Sequence, residues 1–244
     1  MKIIKARDYV EMSRKAAHYI AAQVLLKPNS ILGLATGSTP LGTYQELIRL
    51  HHNGEVSFNQ VSSFNLDEYY SLGPEHPQSY RHFMDENFFN QIDIQAENTH
   101  IPDGLSANPD LFSADYDRQI ANAGGIDLQL LGIGSNGHIA FNEPGKIFIA
   151  QTRLVDLKEH TIEDNARFFD SKDEVPRQAI TMGLKSILGA KRILILASGE
   201  IKADAVKGVL EGPIDPGLPA SILQLHPNVT LIADEDALSK AGNG

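Results

Sequence analysis

The amino-acid sequence predicts a doubly wound α/β fold, in which a mostly parallel sheet carries helices on both faces. Short apolar runs alternate along the chain with segments of helical spacing, which is the pattern of parallel strands buried on both faces. Four of these runs end in a turn rich in glycine or acidic residues, and a helix start follows each turn. No repeat of about 20 to 50 residues occurs, which excludes a solenoid.

The elements follow from local patterns, taken in chain order. A first amphipathic helix over residues 8–27 places Met12, Ala16, Ile20 and Val24 on one face. Apolar runs predict strands that begin at Ile31, Val61, Ile126 and Arg192, and a fifth strand over residues 229–234. Between the strands, QSYRHFMDENFF and PDLFSADYDRQIANAG have helical patterns, whereas GLSANP and EGPIDPGLPAS are typical of exposed loops.

Residues 144–175 give the weakest pattern in the chain. Within them, TRLVDL indicates an extra strand, and EHTIEDNARFF indicates a helix that covers one end of the sheet. No long or compositionally biased linker interrupts the sequence. We therefore expect a single Rossmann-like domain over residues 1–244.

Composition excludes several classes of function. Lys and Arg number 21 against 31 for Asp and Glu, so the formal net charge is −10, which disfavours nucleic acids and anionic membranes as partners. An anionic ligand must then be bound by a few placed cations and backbone N–H groups. The absence of cysteine excludes disulfides and thiolate sites, and the nine histidines show no metal-binding spacing. The amino terminus does not resemble a signal peptide, which predicts a cytoplasmic protein.

Ligands of open α/β sheets bind outside the carboxyl ends of the strands. This rule brings four loops into one predicted pocket, which residues 36–39, 67–70, 134–143 and 198–202 would line.

The loop of residues 36–39 has the composition of a phosphate site. Hydroxyl groups, a flexible glycine and the free N–H groups of a helix start, with Thr39 as the expected N-cap before Pro40, favour an anion. An ordinary strand-to-helix turn uses the same residue types and is the alternative. Lys202 in the first turn of a later helix and Arg167 beside two aromatic residues are candidate cations.

Asp67 and Glu68 follow the strand that begins at Val61. One interpretation is that one of them caps the next helix. The other is that a carboxylate at a strand end removes a proton from a bound substrate.

The segment GIGSNGHIAFNEPG has two interpretations. Its glycines fit the G-x-G-x-x-G spacing of dinucleotide-binding loops, but Pro144 and Gly145 interrupt the helix that such a loop requires. His138 and Glu143 can instead form an acid–base pair, in which the carboxylate orients the imidazole and stabilises its protonated form.

The segments LGLATGSTP, FNLDEYY, GIGSNGHIAFNEPG, ARFF, ITMG and LQLHPNVTLIAD, in this order, closely resemble the glucosamine-6-phosphate deaminase family over nearly the whole chain. The resemblance implies conversion of glucosamine 6-phosphate and water to fructose 6-phosphate and ammonia without a cofactor, in a protein that can form a homo-oligomer. By motif match, His138 opens the sugar ring, aided by Glu143 and Asn136, and Asp67 moves a proton from C2 to C1. The residues matched to phosphate ligands are Thr36, Gly37, Ser38, Thr39, Arg167 and Lys202.

Two departures from the family pattern affect these expectations. Some members have aspartate where this chain has Asn136, and because an amide accepts no proton, we expect His138 to depend mainly on Glu143. Members activated by N-acetylglucosamine 6-phosphate have a longer C-terminal segment and more basic residues after the GHIAFNEP motif. We therefore predict no strong allosteric activation.

Two alternative functions remain open from the sequence. A related enzyme of the same fold, such as a 6-phosphogluconolactonase or a pentose-phosphate isomerase, would not require Asp67 together with His138 and Glu143. A sugar-phosphate sensor without activity would be expected to carry a DNA-binding extension or a basic patch, and neither occurs here.

Overall fold

Seven parallel strands form the main sheet in the computed structural model, which describes residues 1–166, 169 and 171–242. Their order across the sheet is β1 (Lys2–Ala6), β10 (Val229–Asp234), β9 (Ile193–Ala197), β6 (Leu128–Gly132), β2 (Ile31–Leu34), β3 (Ser62–Asn65) and β5 (Thr99–His100). All five predicted strands are present, and the fold class is confirmed. Strands β1 and β5 were not expected, because β1 is a mostly exposed edge strand and β5 has only two residues.

A second, antiparallel sheet has the order β4 (Asp67–Tyr69), β8 (Gln178–Thr181) and β7 (Arg153–Asp156). The extra strand predicted from TRLVDL is β7. Leu66 is the one residue between β3 and β4: its N–H donates to the Leu34 carbonyl at 3.1 Å, and its own carbonyl accepts from the Met182 N–H at 2.7 Å. The chain therefore passes from one sheet to the other within a single residue.

Helices cover both faces of the main sheet. They are α1 (Tyr9–Leu26), α2 (Ser38–His52), α3 (Tyr80–Asn87), α4 (Pro109–Asn122), α5 (Glu159–Ala166), α6 (Leu184–Leu188) and α7 (Ala203–Glu211). The helices predicted over residues 8–27 and from EHTIEDNARFF are confirmed as α1 and α5.

Two local predictions are wrong. The N-cap of α2 is Gly37, not Thr39, and Pro40 lies within the first turn, where its missing N–H has no helical partner in any case. The segment EGPIDPGLPAS is not exposed throughout, because its end joins the 3₁₀ helix Pro219–Leu225. Ala220 and Leu223 of that helix are buried in the core, so their apolar contacts outweigh the loop-like composition.

Alternate residues of the central strands enter two separate cores. In β9, Ile193 and Ile195 pack on one face of the sheet, whereas Leu194 and Leu196 pack on the other. A third, smaller cluster includes Tyr69, Phe141 and Ile162 and joins the antiparallel sheet to α5. Each large aliphatic side chain buried in these cores stabilises the fold by about 1.5–3 kcal/mol.

The strand order reverses direction beside β2. From β2 the chain continues to β3 and β5 on one side, and β6 then lies on the other side of β2. Such a reversal opens a crevice at the carboxyl ends of the two strands, which is where ligands of doubly wound sheets bind. Among the described residues, no helix has the length and apolar composition needed to cross a membrane.

Candidate active site

A cavity of about 210 Å³ lies at the carboxyl ends of β2 and β6. The sequence-predicted residues that line it are Thr36, Gly37, Ser38, Thr39, Asp67, His138 and Lys202. Asn136 and Glu143 lie behind His138 and contact it or its backbone. Arg167 lies outside the described residues. The structure thus brings all of residues 36–39 and parts of the other three predicted loops into one crevice.

The first wall of the cavity is the start of α2. Gly37 has a φ of 93°, a left-handed conformation that favours glycine, and as the N-cap it contributes no capping side chain. The N–H groups in the first turn of a helix have no carbonyl partner within the helix and attract anions. Ser38 and Thr39 begin this helix at the cavity, so their backbone can bind a phosphate.

Lys202 supplies a cation to the lining of the same cavity. It immediately precedes α7, and the turn that carries it is held by Asp234, whose carboxylate accepts from the Ser198 hydroxyl and the Gly199 N–H. Because Asp234 is only 4% exposed, it fixes the turn from inside the protein. The cavity lining therefore includes both this lysine and the start of α2.

Asp67 is the buried acid of the cavity. The residue is 6% exposed, and burial, assisted by repulsion from the neighbouring Glu68, raises the pKa of Asp67 to about 8. A carboxyl group with this pKa exchanges a proton near neutral pH, as a general base that returns the proton must do.

The carboxylate of Glu68 caps α3. Its Oε1 accepts from the N–H groups of Tyr69 and Tyr80, and its Oε2 accepts from the N–H of Arg81, each at 2.8 Å. Burial raises the pKa of Glu68 to about 7, although these three hydrogen bonds oppose the shift. The helix-capping interpretation is therefore confirmed for Glu68, whereas Asp67 faces the cavity and its role as a base stays a prediction.

His138 lies against the carboxylate of Glu143. Nδ1 of His138 is buried 3.3 Å from Oε1 of Glu143, an ion-pair distance at which the ring N–H is not aligned for a hydrogen bond. Burial opposes the ionisation of Glu143, but interactions with His138, Asn136 and Thr161 outweigh it and lower the pKa of Glu143 to about 2. Glu143 is therefore a carboxylate throughout the neutral range and can stabilise a protonated imidazole.

Asn136 connects the two members of this pair. Its Nδ2 donates to Oε2 of Glu143 at 2.9 Å, and its Oδ1 accepts from the backbone N–H of His138 at 3.1 Å. A carboxylate at this position would lack the N–H that Glu143 accepts. The amide therefore supports Glu143 directly.

Two glycines of the GIGSNGH segment allow His138 to take its position. A Cβ on Gly134 would lie 2.3 Å from Nδ1 of His138, and Gly137 has a φ of 81° in the turn before it. The residues that follow form a short bridge between Ile139 and Asn142 and not a helix. The dinucleotide interpretation is therefore wrong, because no helix start is available to bind a pyrophosphate.

Two further polar side chains line the cavity and were missed by sequence reasoning, those of Tyr80 on α3 and Thr161 on α5. Each comes from a helix whose approach to the cavity depends on tertiary packing, and no local motif marks it. Within the described part of the chain, no group of three His, Cys, Asp or Glu side chains is arranged to hold a metal ion.

Comparison with known proteins agrees with this geometry. The family model described as glucosamine-6-phosphate isomerases/6-phosphogluconolactonase matches residues 7–232. The chain belongs to this isomerase/lactonase family. A glucosamine-6-phosphate deaminase from Halothermothrix orenii is 54% identical, over 98% of this chain and 99% of its own length. One from Lachnoclostridium phytofermentans is 56% identical, over 95% and 98%, respectively.

Solved structures place the chain within the same isomerase/lactonase family. A monomeric glucosamine-6-phosphate deaminase superposes with a TM-score of 0.96 at 45% identity, covering 98% of this chain and 100% of the other. A 6-phosphogluconolactonase from Thermotoga maritima gives a TM-score of 0.73 at 21% identity, covering 96% and 99%. The second likeness shows a shared fold only.

Proposed function

We propose that the protein is a glucosamine-6-phosphate deaminase, which converts glucosamine 6-phosphate and water to fructose 6-phosphate and ammonia. The observation that carries this proposal is the placement of the buried Asp67 carboxyl, an anion-binding helix start and the His138–Glu143 pair around one cavity. The identity to deaminases over nearly the full chain favours this substrate over those of other family members.

In the proposed reaction, the phosphate binds to residues 36–39 and Lys202, and Arg167 is a further proposed ligand. His138 takes the proton of the O1 hydroxyl and delivers it to the ring oxygen as the C1–O5 bond breaks. Glu143, supported by Asn136, stabilises the imidazolium between these two transfers. The open chain then has its C1 aldehyde and C2 amine next to Asp67.

Asp67 completes the proposed mechanism. Its carboxylate removes the C2 proton while a proton of the substrate ammonium group passes to the C1 oxygen, which gives an enolamine. Return of the proton from Asp67 to C1 then leaves a protonated imine at C2. Water adds to this imine, ammonia leaves, and the ketone of fructose 6-phosphate remains. A protonated amine on the arriving substrate favours ionisation of the buried Asp67, because a nearby positive charge lowers a carboxyl pKa. The location in the cytoplasm and the oligomeric state stay predictions.

The Asp67→Asn variant tests this proposal. We expect turnover to fall by about 10²–10⁴-fold, because the amide cannot accept the C2 proton. In the wild type, kcat/KM should increase with pH up to about 8, since only the ionised Asp67 acts as the base. Ammonia release and 6-phosphogluconolactone hydrolysis are measured side by side. Lactonase activity without ammonia release, or an Asp67→Asn variant at the wild-type rate, contradicts the proposal.

A further inference from the structure

Thr161 contacts the acid–base pair from a different element of the fold. It lies on α5, is 5% exposed and donates through Oγ1 to Oε1 of Glu143 at 2.8 Å. The same oxygen is the one that lies 3.3 Å from Nδ1 of His138. The Thr161 hydroxyl and the His138 ring therefore meet at Oε1, whereas Oε2 accepts from Asn136.

From this arrangement we infer that Thr161 is a positioning residue for the His138–Glu143 pair, and that it acts on the ring-opening step. The inference rests on the proposed deaminase function. It assigns a role to α5 in the chemistry, in addition to its place in the wall of the cavity.

The reason lies in the freedom of a carboxylate to rotate. Hydrogen bonds to both oxygens, from donors on separate elements, fix the plane of the Glu143 carboxylate. Without the Thr161 hydroxyl, Oε1 loses the donor that α5 supplies, so the carboxylate can turn more freely about its bond to the chain. The imidazole then loses the fixed negative partner that stabilises its protonated form.

The packing of α5 holds Thr161 next to the Glu143 carboxylate. The next residue, Ile162, is 2% exposed and lies in the third cluster with Tyr69 and Phe141. Phe141 belongs to the same loop as His138 and also lines the cavity. Because α5 and this loop share one apolar cluster, the distance between Thr161 and Glu143 is set by the core and not by the hydrogen bond alone.

The step itself moves one proton and breaks one bond. His138 accepts the proton of the O1 hydroxyl, C1 becomes an aldehyde carbon as the C1–O5 bond breaks, and the proton passes to O5. Glu143 stays ionised throughout, and the hydroxyl of Thr161 stays a donor to it. Thr161 therefore gains or loses no atom, and removing its hydroxyl should slow ring opening without touching the C2–H cleavage at Asp67.

Two variants separate the hydroxyl from the rest of the side chain. Thr161→Val keeps the shape and removes the donor, whereas Thr161→Ser keeps the donor. We expect Thr161→Val to lower kcat by about 10- to 100-fold with KM within about twofold of wild type. Thr161→Ser should retain most of the wild-type kcat. Circular dichroism and thermal unfolding establish that both variants are folded.

A kinetic isotope effect identifies the step. With glucosamine 6-phosphate deuterated at C2, the isotope effect on kcat should fall toward one in Thr161→Val, because ring opening becomes slower than C2–H cleavage. Thr161→Ser should retain the wild-type isotope effect. Three results overturn the inference: a wild-type rate in Thr161→Val, a slow Thr161→Val with an undiminished isotope effect, or an equal loss in both variants.

A second measurement does not depend on activity. The ¹⁵N signal of His138 Nδ1, recorded at one pH in each variant, should move in Thr161→Val and stay in place in Thr161→Ser. Absence of ammonia release by the wild type would refute the proposed function alone. An Nδ1 signal unchanged in Thr161→Val would refute the positioning role alone.

Discussion

The burial of Asp67 destabilises the folded state when its carboxyl group is ionised. Its pKa of about 8 exceeds the ordinary carboxyl value, so the folded protein binds the proton more tightly than the unfolded chain does. The free energy of unfolding therefore decreases as pH rises from about 4 to 8 through this group. A cationic ligand in the cavity offsets that cost, which couples substrate binding to the ionisation that catalysis needs.

Gly134 is the residue on which the position of His138 depends. In Gly134→Ala the new Cβ would lie 2.3 Å from the imidazole ring, so the ring must move. We expect kcat to fall by about 10²-fold, because a displacement of about 1 Å in a catalytic group has an effect of this size. Steady-state kinetics of ammonia release measures the loss.

Gly145→Ala is the matched control for this prediction. The atom nearest to its new Cβ would be the Glu143 carbonyl oxygen at 3.8 Å, which is ordinary van der Waals contact. Equal losses in the two variants would mean that the clash with His138 is not the cause.

At the scale of single residues, sequence reasoning found those that share a short motif. His138 and Glu143 are five positions apart in one loop, and the chemistry of their side chains predicted their contact. The hydrogen bond between Thr161 and Glu143 joins residues 18 positions apart, and that between Glu68 and Tyr80 joins residues 12 apart. Such contacts depend on how helices pack, and no local pattern encodes them.

The α3 helix is held at its start by one carboxylate. In Glu68→Gln, the side-chain N–H₂ cannot accept from the Arg81 N–H, and the negative charge at the helix start is lost. We expect the free energy of unfolding to fall by about 1–3 kcal/mol at pH 6, because an N–H is left without a partner, and by less at pH 8, where the wild type also bears the cost of ionising the buried Glu68. Urea denaturation at pH 6 and pH 8 measures the change.

Glu75→Gln provides the comparison for Glu68→Gln. Glu75 is exposed in the connection that leads to α3, so the same chemical change there should leave the stability within about 0.5 kcal/mol. If Glu68→Gln is as stable as Glu75→Gln, the capping interaction contributes nothing measurable.

At the scale of helices and strands, the elements with long sequence patterns could be predicted, whereas most of the short ones could not. The long apolar runs of β6, β9 and β10 and the periodic pattern of α1 were evident from the sequence. Of the antiparallel sheet only β7 was predicted, because β4 has three residues, β8 has four, and these two strands pair across more than 100 positions of the chain. Strands this short have too few alternations to be distinguished from loops.

At the scale of the whole molecule, the two ends of the strands in the main sheet have different roles. The cavity lies at the carboxyl ends of the strands, and an ionic cluster around the buried Asp127 lies at the amino ends. Asp127 in that cluster is 3% exposed and accepts from Lys27 at 2.6 Å, Lys191 at 2.7 Å and the Ile31 N–H at 2.8 Å. Burial opposes its ionisation, but these hydrogen bonds outweigh it and lower the pKa of Asp127.

Asp127→Asn should therefore lower stability and leave catalysis intact. We expect a loss of about 1–3 kcal/mol at pH 7, because charge-assisted hydrogen bonds from two lysines are removed. Because the pKa is lower in the folded state, this contribution is complete above the unfolded value and disappears as pH falls below about 4. Urea denaturation at several pH values, together with kcat and KM, provides the measurement.

The comparison for Asp127→Asn is Asp236→Asn, at an exposed position. It should leave both stability and kinetics close to wild type. A change in KM in Asp127→Asn, with stability unaltered, would contradict the assignment of stability to the amino ends of the strands and catalysis to their carboxyl ends.

Leu66 sets the distance between the two halves of the cavity. Residues 36–39 follow β2 of the parallel sheet, whereas Asp67 begins the antiparallel sheet, and Leu66 before it has a hydrogen bond to β2 and another to the residue after β8. An insertion of one residue there would turn Asp67 to the opposite face of its strand, since side chains alternate with a period of two. Under the proposed mechanism, the distance between the phosphate site and the base, and with it the length of sugar phosphate that fits, is therefore set by the backbone at this junction.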